Sequence, residues 1–322
     1  MLNVGIIGLG HVAKHQISAI QMSGEFELIA GCDSDPAHLN LLGSSVDAHK
    51  DIDEMLERPD LDVVIVATPN NLHVEHGIRV IEAGKWLVME KPLAETQENF
   101  DLLMESRNKR AGHCTVALHA AYGVEVEWFH SELMSGGLDL NRLDAFCSQF
   151  YDPYFENGIL RKGALSLGGS WMDSGVNALS VICKFIDPKN LVISDSRMMR
   201  TRESQCFELR GTVDFDVSDP FLHGRGSIDT NWTIGLDTKT TSFEISESSR
   251  KLILEHSAQA VILSDRGHEQ VLFSCENNLP RLTNHYIGVL EDLAQQVRSG
   301  KDNMAYCQEL HEILYQAEDW QS

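Results

Sequence analysis

Basic residues are scarce in this 322-residue chain: 26 Lys and Arg stand against 48 Asp and Glu, leaving a formal charge of −22. Such a surface repels nucleic acid and anionic membranes at long range, which excludes both as partners. Cysteines are few and scattered. None of the seven (Cys32, Cys114, Cys147, Cys183, Cys206, Cys275, Cys307) forms a Cys-x-x-Cys pair, and the count is odd. A disulfide framework and a zinc site are therefore not expected, and a reducing compartment fits. No run of about 18 apolar residues occurs. The opening MLNVGIIGLG lacks a basic stretch, a long apolar segment and a small-residue cleavage site. These absences predict a soluble, cytoplasmic protein. Internal repeats, low-complexity linkers and charge blocks are missing too. Acidic excess runs through the whole chain, 18 to 9 over residues 1–120 and 30 to 17 over the rest, and reads as solvated surface. With 43% apolar residues the chain is not disordered as a whole, and its length predicts two domains, each with its own core.

Residues 1–120 alternate short apolar runs with helix-length amphipathic segments. The runs Val4–Ile7, Leu28–Ala30, Val63–Ala67, Trp86–Met89 and Thr115–Leu118 are nearly continuous, as expected of parallel strands covered on both faces. Asp35-Pro36 reads as an N-cap followed by proline at the first helical position. Asn70 is placed to cap a helix whose apolar positions are Val74, Ile78 and Ile81, with Gly84 just past its end. The alternation predicts an α/β domain with a doubly wound parallel sheet. After His119 the pattern changes. One helix is expected over Gly123–Met134, closed by Ser135-Gly136-Gly137, and another after Asp173. Then Phe207, Leu209, Val213, Phe215 and Val217 alternate with Glu208, Arg210, Thr212, Asp214 and Asp216. Ile228, Thr230, Trp232 and Ile234 repeat the pattern, and Phe243 and Ile245 continue it. Period two with one apolar face predicts a large open, mostly antiparallel sheet in an α+β domain. Tyr286, Val289, Leu290, Leu293, Ala294 and Val297 fall at helical spacing before Gly300. The domains expected are residues 1–120 and 121–322.

Gly8-Leu9-Gly10-His11-Val12-Ala13 follows the first strand and opens the first helix. Gly8 permits the tight turn, Gly10 lets backbone approach a pyrophosphate, and Ala13 allows close helix–strand packing. The helix N-terminus then offers N–H groups and a positive dipole end to phosphates, with His11 and Val12 contributing backbone rather than side chain. Asp33, 25 positions after Gly8, ends the second strand. Its carboxylate is placed to accept the adenosine ribose hydroxyls and would repel a 2′-phosphate. No Lys or Arg lies between Gly31 and His49 to neutralise that phosphate, so NAD is expected over NADP.

The chain resembles the Gfo/Idh/MocA oxidoreductase family at several separated points: the Gly8–Ala13 loop, Ala67-Thr68-Pro69-Asn70-Asn71-Leu72-His73, Ala83-Gly84-Lys85, Glu90-Lys91-Pro92, and Gly168-Gly169-Ser170-Trp171-Met172-Asp173-Ser174-Gly175-Val176-Asn177. The resemblance implies a Rossmann domain followed by a substrate domain with a large open sheet, the active site between them, and homodimers or homotetramers built through that sheet. It further implies cofactor contacts at Gly8, Gly10, His11, Val12, Ala13, Asp33, Thr68, Pro69, Asn70, His73, Glu90 and Lys91. Where the family usually has a histidine, this chain has Asn177, as in the branch resembling L-arabinose and D-galactose 1-dehydrogenases. An amide cannot move a proton in acid–base catalysis.

Oxidising an alcohol with NAD needs a base for the hydroxyl proton. Lys91 fills that role; a free lysine, with a pKa of about 10.4, is too basic, and partial burial and the positive nicotinamide would lower it. Asp173 pairs with Lys91, holds a substrate hydroxyl, or caps the following helix. Asn177 orients sugar hydroxyls or is a plain surface helix residue. His119 is a sugar contact or a structural histidine, and Trp171 stacks on a sugar or fills core. His73 and His76 lack carboxylate or cysteine company, so no metal is expected. The reading is oxidation of an aldose at C1 to the lactone. A ring alcohol of an inositol or another sugar is the alternative, and a non-catalytic NAD- or sugar-binding regulator ranks below both.

Overall fold

The computed structural model describes residues 1–136, 138, 143–156, 159–200, 208–245 and 249–320. They form two compact units, Met1–His119 with Leu282–Cys307, and Ala120–Arg281 with Gln308–Ser322. This corrects the linear division at residue 120, because Leu282–Cys307 returns to the first unit. Gly137, Cys206 and Phe207 lie outside the described residues.

The first unit runs β1 (Leu2–Ile7), α1 (Ala13–Met22), β2 (Phe26–Cys32), β3 (Asp47–His49), α2 (Ile52–Leu56), β4 (Val63–Val66), α3 (His73–Glu82), β5 (Trp86–Glu90), α4 (Gln97–Arg110) and β6 (Cys114–Ala117). All six strands are parallel, in the order β3-β2-β1-β4-β5-β6, the doubly wound arrangement. The five apolar runs are five of these strands; all four residues of β4 are buried, as a strand covered on both faces requires. The sixth, β3, is a short polar edge strand that its composition does not announce. Asp35-Pro36 leads only to a single 3₁₀ turn, His38–Leu41, which buries no residue, and a segment with no apolar stripe has nothing to hold a longer helix. Asn70 does not cap α3 either. It lies in a 3₁₀ turn, and the cap position is Leu72, with no side-chain bond.

The returning segment is fastened by polar groups. Thr115 donates to Gln296 at 2.6 Å, and the Val116 N–H donates to Asn303 at 2.9 Å. Asp302 accepts from Arg107 Nη2 at 2.6 Å, from Arg107 Nε at 3.1 Å and from the Cys114 N–H at 3.0 Å.

The second unit holds an eight-stranded sheet in the order Leu191–Met199, Arg210–Ser218, Leu222–Asn231, Leu143–Tyr151, Thr238–Ile245, Arg250–Glu255, Ala260–Asp265 and His268–Ser274. Every pairing is antiparallel except that of Leu222–Asn231 with Leu143–Tyr151. The helix Val124–Ser135 is tied to it through buried Glu125, whose carboxylate meets His256 Nδ1 at 2.8 Å; His256 Nε2 meets Thr241 at 3.0 Å, and Thr241 meets Ser148 at 3.0 Å. The expected alternation fails at its ends. Glu208 is buried rather than water-facing, and Ile234 is exposed, because the strands begin at Arg210 and end at Asn231. No helix among the described residues is long and apolar enough to cross a membrane.

Asp302 is almost wholly buried and holds a guanidinium and a strand-end N–H at once. Asp302→Ala leaves Arg107 without its counter-charge and should destabilise the first unit by about 3 kcal/mol. Thermal unfolding checks this, and an unchanged melting temperature refutes it.

Candidate functional site

The carboxyl ends of β1, β2 and β4 enclose a cavity of about 460 Å³ whose wall includes Gly8, Gly10, Asp33, Thr68 and Pro69. A larger one, about 680 Å³, opens against the strand starts at Leu2, Val63 and Trp86. Doubly wound sheets bind ligands outside the carboxyl ends of their strands, so the smaller cavity is the candidate.

Its loop is shaped for close backbone approach. Gly8 has φ +90°, and a Cβ there would lie 2.7 Å from the Ala67 carbonyl oxygen. Gly10 differs: a Cβ on it would meet nothing within 4 Å. The fold itself makes no demand for glycine at that position, and the open side of the loop leaves room for a ligand to approach the backbone. Ala13 is fully buried against the sheet, and His11 is exposed, its ring 6.0 Å from that of His15. Asp33 accepts from the Leu9 N–H at 2.8 Å, the Asp35 N–H at 2.8 Å and His38 Nδ1 at 3.1 Å. Burial works against ionisation of this carboxyl, but the three donors overcome it and hold it below the usual carboxylate range. A turn glycine, an open glycine and a fixed carboxylate fit a dinucleotide: Gly8 and Gly10 would take the pyrophosphate and Asp33 the ribose.

His73 is not on this cavity wall. Its ring is 1% exposed, with Nδ1 2.8 Å from the Pro92 carbonyl and Nε2 2.9 Å from the Thr68 carbonyl. It joins the loop after β4 to the loop after β5, so the expected direct cofactor contact is corrected to a structural tie. Burial, opposed by the two carbonyls, lowers its pKa to about 4. Asn70 is buried beside it. Lys91 is half-buried at the end of β5, and the Lys91–Pro92 bond is cis. Glu90 points inward: it accepts from Gln16 at 2.7 Å and from the Tyr286 hydroxyl at 2.6 Å, and the Lys91 N–H approaches it at 3.3 Å. Burial raises its pKa despite those donors. The expected contact of Glu90 with a cofactor is thus replaced by a packing role beneath Lys91. His119 lies 3.1 Å from His285, nitrogen to nitrogen, and also packs on Tyr286, so of its two readings it takes the structural one.

In the second unit, Trp171–Gly175 forms one π-helical turn leading into the helix Val176–Ile182. Trp171 is fully buried and donates Nε1–H to the Leu314 carbonyl at 2.9 Å. Of its two readings, the structure gives it the core one. Asp173 is 7% exposed. The next residue, Ser174, donates to Asp152 at 2.8 Å, and Asp152 and Asp237 share Lys239 at 2.7 and 2.6 Å. Asn177 Nδ2 reaches the Asp173 carbonyl at 3.3 Å, while its buried Oδ1 has no partner among the described residues. A buried acceptor without a donor is costly. The cluster Asp152–Lys239–Asp237 was not foreseen, nor were His38, Lys50 and His76 on the cofactor cavity. Among the described residues no three His, Cys, Asp or Glu side chains are placed to hold a metal.

Residues 2–118 match the family model described as oxidoreductase family, NAD-binding Rossmann fold, Gfo/Idh/MocA. The chain is 30% identical over 122 residues to the 1-carboxy-3-chloro-3,4-dihydroxycyclohexa-1,5-diene dehydrogenase of Comamonas testosteroni, covering 37% of this chain and 30% of that protein. It is 30% identical over 141 residues to the D-glucoside 3-dehydrogenase of Escherichia coli strain K12, covering 42% and 40%. The chain thus spans less than half the length of these two relatives. A solved oxidoreductase of Agrobacterium radiobacter, in complex with NAD+, L-tartaric acid and magnesium, superposes with a TM-score of 0.80 over 99% of this chain and 95% of that one, at 14% identity. This last likeness establishes the fold.

Glu208 supports the turn that carries Asp173: its carboxylate accepts the Trp171 N–H at 2.6 Å. Burial raises its pKa to about 7. The folded form therefore binds its proton more tightly than the unfolded chain, and stability contributed by Glu208 falls as pH rises from about 4.5 to about 7. Glu208→Gln should flatten the fall in melting temperature over that window. An identical pH profile in the variant refutes the assignment.

Proposed function

We propose that the chain is an NAD-dependent dehydrogenase of a sugar or polyol hydroxyl, a reading supported by the match of residues 2–118 to the NAD-binding Rossmann fold of the Gfo/Idh/MocA oxidoreductase family. The observation that carries the proposal is the His73 tie, which fixes the Lys91-Pro92 loop to the Thr68 wall of the cofactor cavity. The tie links the loop that carries Lys91 to the loop that carries Thr68, and this supports reading Lys91 as the base.

Bound nicotinamide supplies the hydride acceptor. The chain supplies the rest. Lys91 takes the hydroxyl proton as the carbon–hydrogen bond breaks, so the alcohol becomes a carbonyl without building up an oxonium. Within the second unit, Asn177 Oδ1 is a candidate acceptor for a substrate hydroxyl. For an aldopyranose reacting at C1 the product is the lactone. Asn177 in place of the family's usual histidine supports this C1 reading. A second reading, oxidation of a ring alcohol, is favoured by the D-glucoside 3-dehydrogenase, whose name places its reaction on the ring.

The two readings part on glycosides, which have no free C1 hydroxyl. Reduced-cofactor absorbance should rise with free aldoses and not with their methyl glycosides if C1 reacts; turnover of the methyl glycosides moves the assignment to the ring. No turnover on any aldose, glycoside or inositol, with NADH still bound, would sink the dehydrogenase reading. Lys91→Ala should lower turnover by about 10³-fold in a protein that still binds NADH, and retained turnover removes Lys91 from the chemistry.

A further inference from the structure

In the second unit, a linkage of polar side chains fastens the turn before Asn177 to the sheet. The strands Leu143–Tyr151 and Thr238–Ile245 pair antiparallel, with Tyr151 opposite Thr238 and Phe150 opposite Lys239. The backbone leaving the first strand at Asp152 therefore lies beside the backbone entering the second at Asp237, and Lys239 reaches both. Its ammonium donates to Asp152 at 2.7 Å, to Asp237 at 2.6 Å and to the Tyr151 carbonyl at 3.3 Å, which uses every N–H it has. Asp152 divides its oxygens: Oδ1 takes the ammonium, and Oδ2 takes the Ser174 hydroxyl at 2.8 Å. The Asp152 N–H donates to the Asn231 carbonyl at 3.1 Å, so a third strand holds its backbone. Ser174 is buried in the π-helical turn Trp171–Gly175. The carbonyl of the Asp173–Ser174 peptide meets Asn177 Nδ2. A carbonyl only accepts, so it faces the NH2 end of the amide and turns Oδ1 the other way.

We propose that Lys239, Asp152 and Ser174 are positioning residues, which hold the Asn177 amide with its oxygen as the acceptor for a substrate hydroxyl. The proposal rests on the dehydrogenase reading and on Asn177 as a hydroxyl acceptor in it. Lys239 has no N–H left for a substrate and both Asp152 oxygens are engaged, so these groups act through the turn. A buried ammonium between carboxylates adds little stability that apolar residues of the same volume would not supply. What it fixes is direction. Lys239 orients Asp152, Asp152 orients the Ser174 hydroxyl, and the pinned serine sets the carbonyl that selects which end of the amide is turned away. The two ends of an amide are alike in shape and opposite in hydrogen bonding. A turn released from the sheet lets the amide rotate and offer its NH2 instead, so a hydroxyl would have to bind with its proton reversed.

Ser174→Ala cuts the linkage and leaves the charges of Asp152, Lys239 and Asp237 in place. Steady-state turnover of L-arabinose, D-galactose, methyl galactoside and myo-inositol with NAD by the full chain tests it, beside the NADH dissociation constant read by cofactor fluorescence. For the compound the unsubstituted protein uses best, kcat/KM should fall about tenfold in Ser174→Ala with the NADH constant unchanged. In an Asn177→Ala background the same substitution should lower kcat/KM by less than about twofold, a coupling that a merely structural serine would not show. Asp152→Ala should repeat the loss, and adding Ser174→Ala to it should cost less than about twofold more. An unchanged kcat/KM in Ser174→Ala, or an equal loss with and without Asn177, refutes the positioning role while the dehydrogenase reading stands. If the unsubstituted protein turns over none of the four compounds, that reading fails and the positioning role falls with it.

Discussion

One buried imidazole holds the working edge of the first unit together. A parallel sheet delivers its functional residues on separate loops at the carboxyl ends of separate strands, and nothing in the strand ladder fixes one loop against the next. His73 does so, with a ring nitrogen on the carbonyl of each loop. Two carbonyl acceptors favour a doubly protonated ring, while burial at 1% exposure favours the neutral one. Burial wins. A neutral ring donates only one N–H, so one contact is a hydrogen bond and the other a close approach maintained by packing. The tie thus depends on α3 being held in place, and Val80 and Ile81, both buried, hold it.

The same unit borrows its second support from far along the chain. Glu90 precedes Lys91 and turns into the interior, where Gln16 from α1 and Tyr286 from the helix Arg281–Ser299 donate to it. The residue before the lysine is therefore anchored from both sides, by Gln16 and Tyr286, which lie 270 positions apart in the chain. The energetic logic is that of any buried polar group: each donor offsets desolvation of the carboxyl, and loss of either would leave it uncompensated. Tyr286 is in turn packed against His119, which explains why that histidine is enclosed by its own unit.

What could be read before the structure was known follows from how each feature is encoded. Strands buried on both faces advertise themselves as apolar runs, and five of the six in the first sheet were legible. β3 is three residues of an edge, two of them exposed, and carries no such signal. Missing it hid Lys50, because only the pairing of β3 with β2 brings that residue beside Asp33. Glu208 was assigned to water by extending an alternation past the strand's first residue; its burial is specified by the Trp171 N–H it accepts, a contact no periodicity contains. The return of Leu282–Cys307 is encoded by Gln296, Asp302 and Asn303, side chains whose partners lie on β6 and α4 and whose residue types are unremarkable in a helix end. The Gly8 turn, the Asp33 carboxylate and the lysine after β5 were legible because the chemistry constrains residue type locally. Trp171 was not, since stacking and packing ask for the same aromatic surface.

The acidic excess takes on structure in this light. Most of it is solvated, but several carboxylates are drawn inward, three of them for different reasons. Asp33 is ionised by the N–H groups around it, Glu90 is pushed toward its protonated form by burial, and Asp302 is matched by Arg107. Their environments, rather than their number, decide what each does. The first fixes the loop after β1 through the Leu9 N–H; the second is tied to Gln16 and Tyr286 behind the loop that carries Lys91. The net charge of the chain limits which partners approach it, and the burial of individual carboxyls sets what happens once they arrive.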